Sequence, residues 1–133
     1  MQSKARNRPG KFVIVYTTVE KKTDALRIAG SIVEEGLAAC VNVLPGLSSV
    51  YRWKGRTVRA REHLLIVKTG RSMLVRLEKR IKALSPYELP EFVSVDIHYG
   101  SRDYVEWLDR SVSLRAIEGM TDPDKKTFRR LVW

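Results

Sequence analysis

Leu37-Ala38-Ala39-Cys40-Val41-Asn42-Val43-Leu44-Pro45-Gly46 leads, two residues on, into Ser49-Val50-Tyr51-Arg52-Trp53-Lys54-Gly55. Gly36 precedes this run and can take the left-handed conformation that ends a helix. An apolar strand follows from about Ala38. Pro45 has no N–H to give to a ladder, so Pro45-Gly46 predicts a bulge or bend inside the strand rather than its end. Past the bend, Leu47, Ser49, Tyr51 and Trp53 share one face. Lys54-Gly55 is the turn of a long hairpin. The returning strand alternates, with Val58, Ala60, Glu62, Leu64, Ile66 and Lys68 on one face and Arg59, Arg61, His63, Leu65 and Val67 on the other. Its outer half is polar on both faces and its inner half apolar on both, which is the pattern of an arm projecting from a buried sheet.

Working outward, Phe12 to Thr18 is a β-branched and aromatic run that reads as a central strand. Thr23 or Asp24 can cap a helix with Ala25, Ile28, Ala29, Ile32 and Val33 along one stripe. After the hairpin, Leu74, Leu77, Ile81 and Leu84 lie at helical spacing, and Pro86 stops that helix. Phe92 to Tyr99 reads as a last strand, and Ser101 opens a third helix with Val105, Leu108 and Val112 inward. The order strand, helix, strand, strand, helix, strand, helix predicts an α+β fold. It is the ferredoxin-like βαββαβ arrangement with a C-terminal helix, its helices on one face of an antiparallel sheet. Residues 12–112 form the domain, 1–11 a basic N-terminal arm and 113–133 a C-terminal extension.

The net charge of +10 is concentrated. Met1 to Lys11 has four basic residues and no acid, and Arg52 to Arg61 has five and no acid, nine of the ten excess positive charges. A basic arm and a basic hairpin can hold phosphates, but a solvated charged face is the plainer reading, and a nucleic-acid partner ranks behind it. No apolar run approaches the ~20 residues of a membrane span, and no hydrophobic leader opens the chain. The single cysteine, Cys40, cannot form an internal disulfide, and a cytoplasmic location is the expectation. There is no phosphate loop, zinc-spaced cluster or nucleophile elbow, so the expectation is a protein that is not an enzyme and requires no cofactor.

Helices on one side only would leave apolar residues of the hairpin's returning strand, Leu65 and Val67 among them, wet on the other, which predicts an oligomer. Cys40 is a candidate soft-metal ligand whose plainer role is a small buried hydrophobe. Asp96 and His98 point the same way from one strand, but two ligands fall short of a metal site. His63 has Arg59 and Arg61 on its own face, which disfavours a cation. Tyr51, Trp53, Lys68, Tyr87, Glu88 and Glu91 form the candidate ligand cleft or interface, and Glu88 and Glu91 join Cys40 as candidate metal contacts.

The opening stretch, Ser85-Pro86-Tyr87-Glu88-Leu89-Pro90-Glu91, Tyr16-Thr17-Thr18, Leu65-Ile66-Val67-Lys68-Thr69, and Asp103-Tyr104 with Trp107-Leu108 together resemble the CutA family of divalent-cation tolerance proteins. The resemblance covers about Phe12 to Val112. It implies a PII-like homotrimer whose extended hairpins lengthen the sheets of neighbours, with divalent metal ions, copper among them, as partners. The chain departs from the family where ligands would be expected. Ser85 stands where a histidine is common, Tyr16 where some members have a cysteine, and Arg56, Arg59 and Arg61 in a strand that is often acidic in relatives, where only Glu62 matches. These departures argue against a tight copper site. The rival expectations are a PII-like small-ligand sensor and an anion- or nucleic-acid-binding module on the basic hairpin.

Overall fold

The computed structural model describes residues 10–112, so residues 1–9 of the expected basic arm and the expected C-terminal extension over 113–133 lie outside the described residues. The elements are β1 (Phe12–Val19), α1 (Lys22–Glu34), β2 (Cys40–Trp53), β3 (Arg56–Gly70), a single 3-10 turn (Arg71–Met73) continuing into α2 (Leu74–Leu84), β4 (Val93–Asp96) and α3 (Arg102–Val112). The four strands form one sheet in the order β2-β3-β1-β4, every neighbouring pair antiparallel. This is the expected ferredoxin-like order. Both crossovers join parallel strands, and right-handed crossovers put α1 and α2 on the same face.

The local signals act as read. Gly36 has φ 74, its N–H donates to the Val33 carbonyl and that of Leu37 to the Ile32 carbonyl, the paired bonds of a glycine helix stop. Lys54 (φ 49) and Gly55 (φ 78) both take positive φ, as a two-residue turn with the twist of its strands requires. The β2–β3 register shifts between Leu44 and Leu47, with Gly46 at φ 76, so Pro45-Gly46 is a bulge in a strand that continues beyond it.

Three expectations change. α1 begins at Lys22 with Lys21 at its cap position and no side-chain cap, because Asp24 accepts from Arg27 at 3.2 Å instead. Val33 is 40% exposed and lies off the buried stripe. β4 is only four residues long; beyond it the Ile97 N–H still reaches the Phe12 carbonyl at 3.0 Å, but His98 lies outside the ladder.

The core sits between sheet and helices. Val13, Val15, Leu65 and Val67 meet Ile28, Ile32, Leu77 and Ile81, all with no exposed surface. Leu65 and Val67 therefore lie under the helices, and it is Leu64 and Ile66 that turn to the uncovered face, beside Ile14, Tyr16, Val93 and Val95. Val93 and Val95 there are 52% and 46% exposed. α3 closes one end, packing Leu108 and Val112 on Phe12, Met73 and Ala39. Arg80 grips Glu35 with two bonds of 2.8 and 2.9 Å, tying α2 to the end of α1 and holding the Glu35 carboxyl below the usual carboxylate range. Among the described residues no helix is long and apolar enough to cross a membrane.

Truncating Leu65 to Ala should cost about 2–5 kcal/mol, since its cavity opens between two fixed layers. Val75→Ala, at a side chain 80% exposed on α2, should stay within about 0.5 kcal/mol. Urea unfolding at matched protein concentration compares the two.

Candidate functional site

The bulge decides which side chains meet. Before it, Asn42 and Leu44 pair with Ile66 and Leu64 on the uncovered face. One extra residue inverts the alternation, so Leu47, Ser49, Tyr51 and Trp53 continue on that same face, opposite Glu62, Ala60, Val58 and Arg56. Tyr51 and Trp53 thus stand over the same side of the hairpin as Glu62.

The facing wall comes from the loop after α2. Pro86 forces Ser85 into extended backbone, φ −72 and ψ 139, which ends the helix. The Tyr87 N–H then donates to Ser85 Oγ at 3.2 Å, a tight turn that throws the ring back across the sheet. Tyr87 Oη donates to Glu62 Oε2 at 2.6 Å. Glu62 is only 5% exposed, and a carboxylate that dry needs such a charge-assisted donor. Burial, then the bond to Glu62, pushes the Tyr87 hydroxyl far above the ordinary phenol range, so it remains a donor throughout neutral pH.

Between hairpin and loop lies a cleft of about 660 Å³, with Thr18 and Glu62 at its floor, Tyr51 and Trp53 on one wall, and Tyr87 and Leu89 on the other. That volume suits a small ligand. Glu91 lines it too, and burial followed by the neighbouring Glu62 charge raises its carboxyl above the usual range. At the mouth Lys54 Nζ lies 3.6 Å from Glu88 Oε2 and 5.5 Å from the Trp53 ring centroid. Both partners of that ion pair are largely exposed, so it contributes little beyond orientation.

The structure brings together Tyr51, Trp53, Tyr87, Glu88 and Glu91. It does not bring Lys68 or Cys40 to them. Lys68 pairs with Cys40 and Ile14, six residues along β3 from Glu62, a separation of about 20 Å along the strand. Lys68 Nζ sits 5.9 Å from the Tyr104 ring, and Cys40 Sγ reaches Asn42 Oδ1 at 3.9 Å. Asp96 is taken by Arg71, whose guanidinium bonds its carboxylate directly. Among the described residues no three His, Cys, Asp or Glu side chains gather as a metal group. A bound ion normally takes three or four such ligands, so the donor set of a single chain does not fit a tightly held one. Glu62 escaped the sequence reading as a site residue. Its signal was an acid at a strand position whose same-face neighbours are Ala60, Leu64 and Ile66.

Residues 13–111 match the family model described as CutA1 divalent ion tolerance protein. The chain is 48% identical over 95 residues to the divalent-cation tolerance protein CutA of Thermus thermophilus, covering 71% of this chain and 92% of that protein. It is 46% identical over 99 residues to the chloroplastic protein CutA 1 of Oryza sativa, covering 74% of this chain but 56% of that longer relative. The solved Thermus thermophilus structure superposes with a TM-score of 0.75 at 45% identity, over 77% of this chain and 99% of that one.

Tyr87→Phe leaves a dry carboxylate without its donor and should cost about 1–3 kcal/mol in urea unfolding. Glu91 gives a pH test. Its folded-state value is raised, so the folded chain keeps the proton to higher pH than the unfolded chain does. Stability from this group is therefore greatest below the usual carboxylate range and falls as pH rises through the raised value. Glu91→Gln should gain on the parent chain as pH is raised from about 4 to 7, and show little difference at the acid end.

Proposed function

The chain belongs to the CutA1 divalent ion tolerance family, and we propose that it serves divalent-cation tolerance as a non-enzymatic homotrimer. The observation that supports assembly is the uncovered sheet face. Ile14, Tyr16, Leu64, Ile66, Val93 and Val95 lie together there, with no helix of the described residues over them. Fully burying an exposed side chain of that kind contributes roughly 1.5–3 kcal/mol; these are partly covered already, so each offers a share of that, and several together favour association. The 14-residue β2 is an edge strand of the sheet, and its length suits it to lengthen a neighbour's sheet. Residues 12–112 act as the assembling domain, and the sole cysteine fits the reducing cytoplasm.

Cation contact in this reading is weak within one chain. Glu88 and Glu91 offer carboxylates at the cleft, and Cys40 a separate soft contact at the other end of the sheet. Copper or another divalent cation would then be held firmly only where copies of the chain share ligands, or through a partner. The aromatic walls formed by Tyr51, Trp53 and Tyr87 serve the shape of the cleft.

Sedimentation equilibrium at micromolar concentration should give the mass of three chains, and a stably folded single chain there would remove the assembly. Calorimetric titration with copper, zinc and magnesium should give weak, saturable binding that Glu88→Gln with Glu91→Gln reduces. No saturable heat at millimolar metal would remove direct binding and leave assembly standing.

A further inference from the structure

The outer hairpin gathers most of its arginines on one face. Glu62, the aromatics and Arg56 occupy the cleft side. On the reverse, the register sets Arg61 opposite Ser48, Arg59 opposite Val50, and Thr57 opposite Arg52. Same-face positions on a strand repeat at about 6.8 Å, so three guanidinium groups are spread along a row of about 14 Å. Val50 and Arg52, on the edge strand, also border the cleft. All three arginines are exposed, and none has an acidic partner among the described residues.

The row continues at its base. His63 follows Arg61 on the same face, and its Nδ1 lies 3.0 Å from the Glu20 carbonyl oxygen. Lys21 and Lys22 come next in the chain, exposed and likewise without an acidic partner among the described residues. They open α1, whose first turn has no side-chain cap and adds its own positive end. Five cations therefore lie from the hairpin to the start of α1, with one exposed acid, Glu20, between His63 and Lys21.

We propose that this face docks the phosphate backbone of a single-stranded nucleic acid. A linear row of regularly spaced cations is matched by a linear polymer of regularly spaced anions. Arginine rather than lysine along the hairpin suits phosphate, because its planar fork bonds two oxygens at once. Val50, 64% exposed and in line with Arg59, offers an apolar contact for sugar or base between the charges. An anionic bilayer favours a broad plane with several inserting apolar groups, and this row is narrow with one.

The test is fluorescence anisotropy of the full chain with a labelled oligothymidylate, between about 50 and 200 mM salt. Each phosphate neutralised on a single strand contributes about −0.7 to the log–log salt slope, so three to five contacts should give about −2 to −3.5. Changing Arg52, Arg59 and Arg61 to Ser together should weaken binding at least about tenfold and flatten the slope by about 2. Arg59→Ser alone should flatten it by about 0.7, which keeps the test sound if the triple variant is unstable. Changing Lys4, Arg6 and Arg8 to Ser should leave most of the binding, which separates the hairpin from the N-terminal arm. Binding unchanged by the hairpin variants, a slope near zero, or capture by phosphatidylserine vesicles without any oligothymidylate binding would each overturn the proposal.

Discussion

One inserted residue at Pro45-Gly46 governs what the hairpin can do. A β-strand alternates strictly, so a 14-residue edge strand would ordinarily keep one parity of side chain on each face throughout. The bulge resets that parity midway. Inside it, the even positions Asn42 and Leu44 face away from the helices; outside it, Leu47, Tyr51 and Trp53 do. Without the reset, the aromatics would stand on the helix side and Val50 and Arg52 beside Glu62. Proline and glycine suit the position for separate reasons. Proline gives up a ladder bond that a bulge leaves unmade, and Gly46 takes a positive φ that a side chain would strain.

The same reset sorts the electrostatics. A carboxylate as dry as Glu62 is tolerated because Tyr87 donates to it, and that bond in turn fixes the loop that walls the cleft. A second carboxyl, Glu91, close to the first resists ionisation, so negative charge on the cleft side is held under strain. The arginines on the reverse have no acid near enough to neutralise them among the described residues. A hairpin two strands wide thus presents a face that mixes the aromatics and Glu62 with Arg56, and a reverse whose charges are all basic. Its net charge of five basic residues in ten describes neither face well.

Much of the fold was legible because its signals are local. The glycine stop at Gly36, the Lys54-Gly55 turn and the Pro45-Gly46 bulge each follow from what one or two residues permit in φ or in hydrogen bonding. Faces were harder. Alternation along β3 separates Leu64 and Ile66 from Leu65 and Val67, but which pair lies under the helices depends on the handed crossovers of the whole chain. The start of α1 is not legible from cap chemistry, because the helix begins at Lys22, before Thr23 and Asp24, and has no side-chain cap. Of the cleft, the aromatics and the glutamate loop were readable as a group. Glu62 was not, because nothing near it in sequence reveals that Tyr87, 25 residues later, folds back to meet it. Lys68 was grouped with the cleft, though strand length alone separates them.

In the proposed function, cation tolerance and assembly would be linked by a count of ligands. Within one chain the carboxylates near the cleft are already engaged: Glu62 by Tyr87 and Glu88 by Lys54, while Glu91 is disfavoured as an anion. A divalent ion arriving there would relieve the repulsion between Glu62 and Glu91, which favours binding, but would find too few donors to exchange for its water. Ligands contributed by a second copy would lift both limits at once. The ion would then be bound in proportion to the assembled form and stabilise it by mass action. Ser85 spends its oxygen on the Tyr87 turn rather than leaving it for an ion. Under the proposed assembly, the response to metal would reside in the contact between chains rather than in any pocket of one.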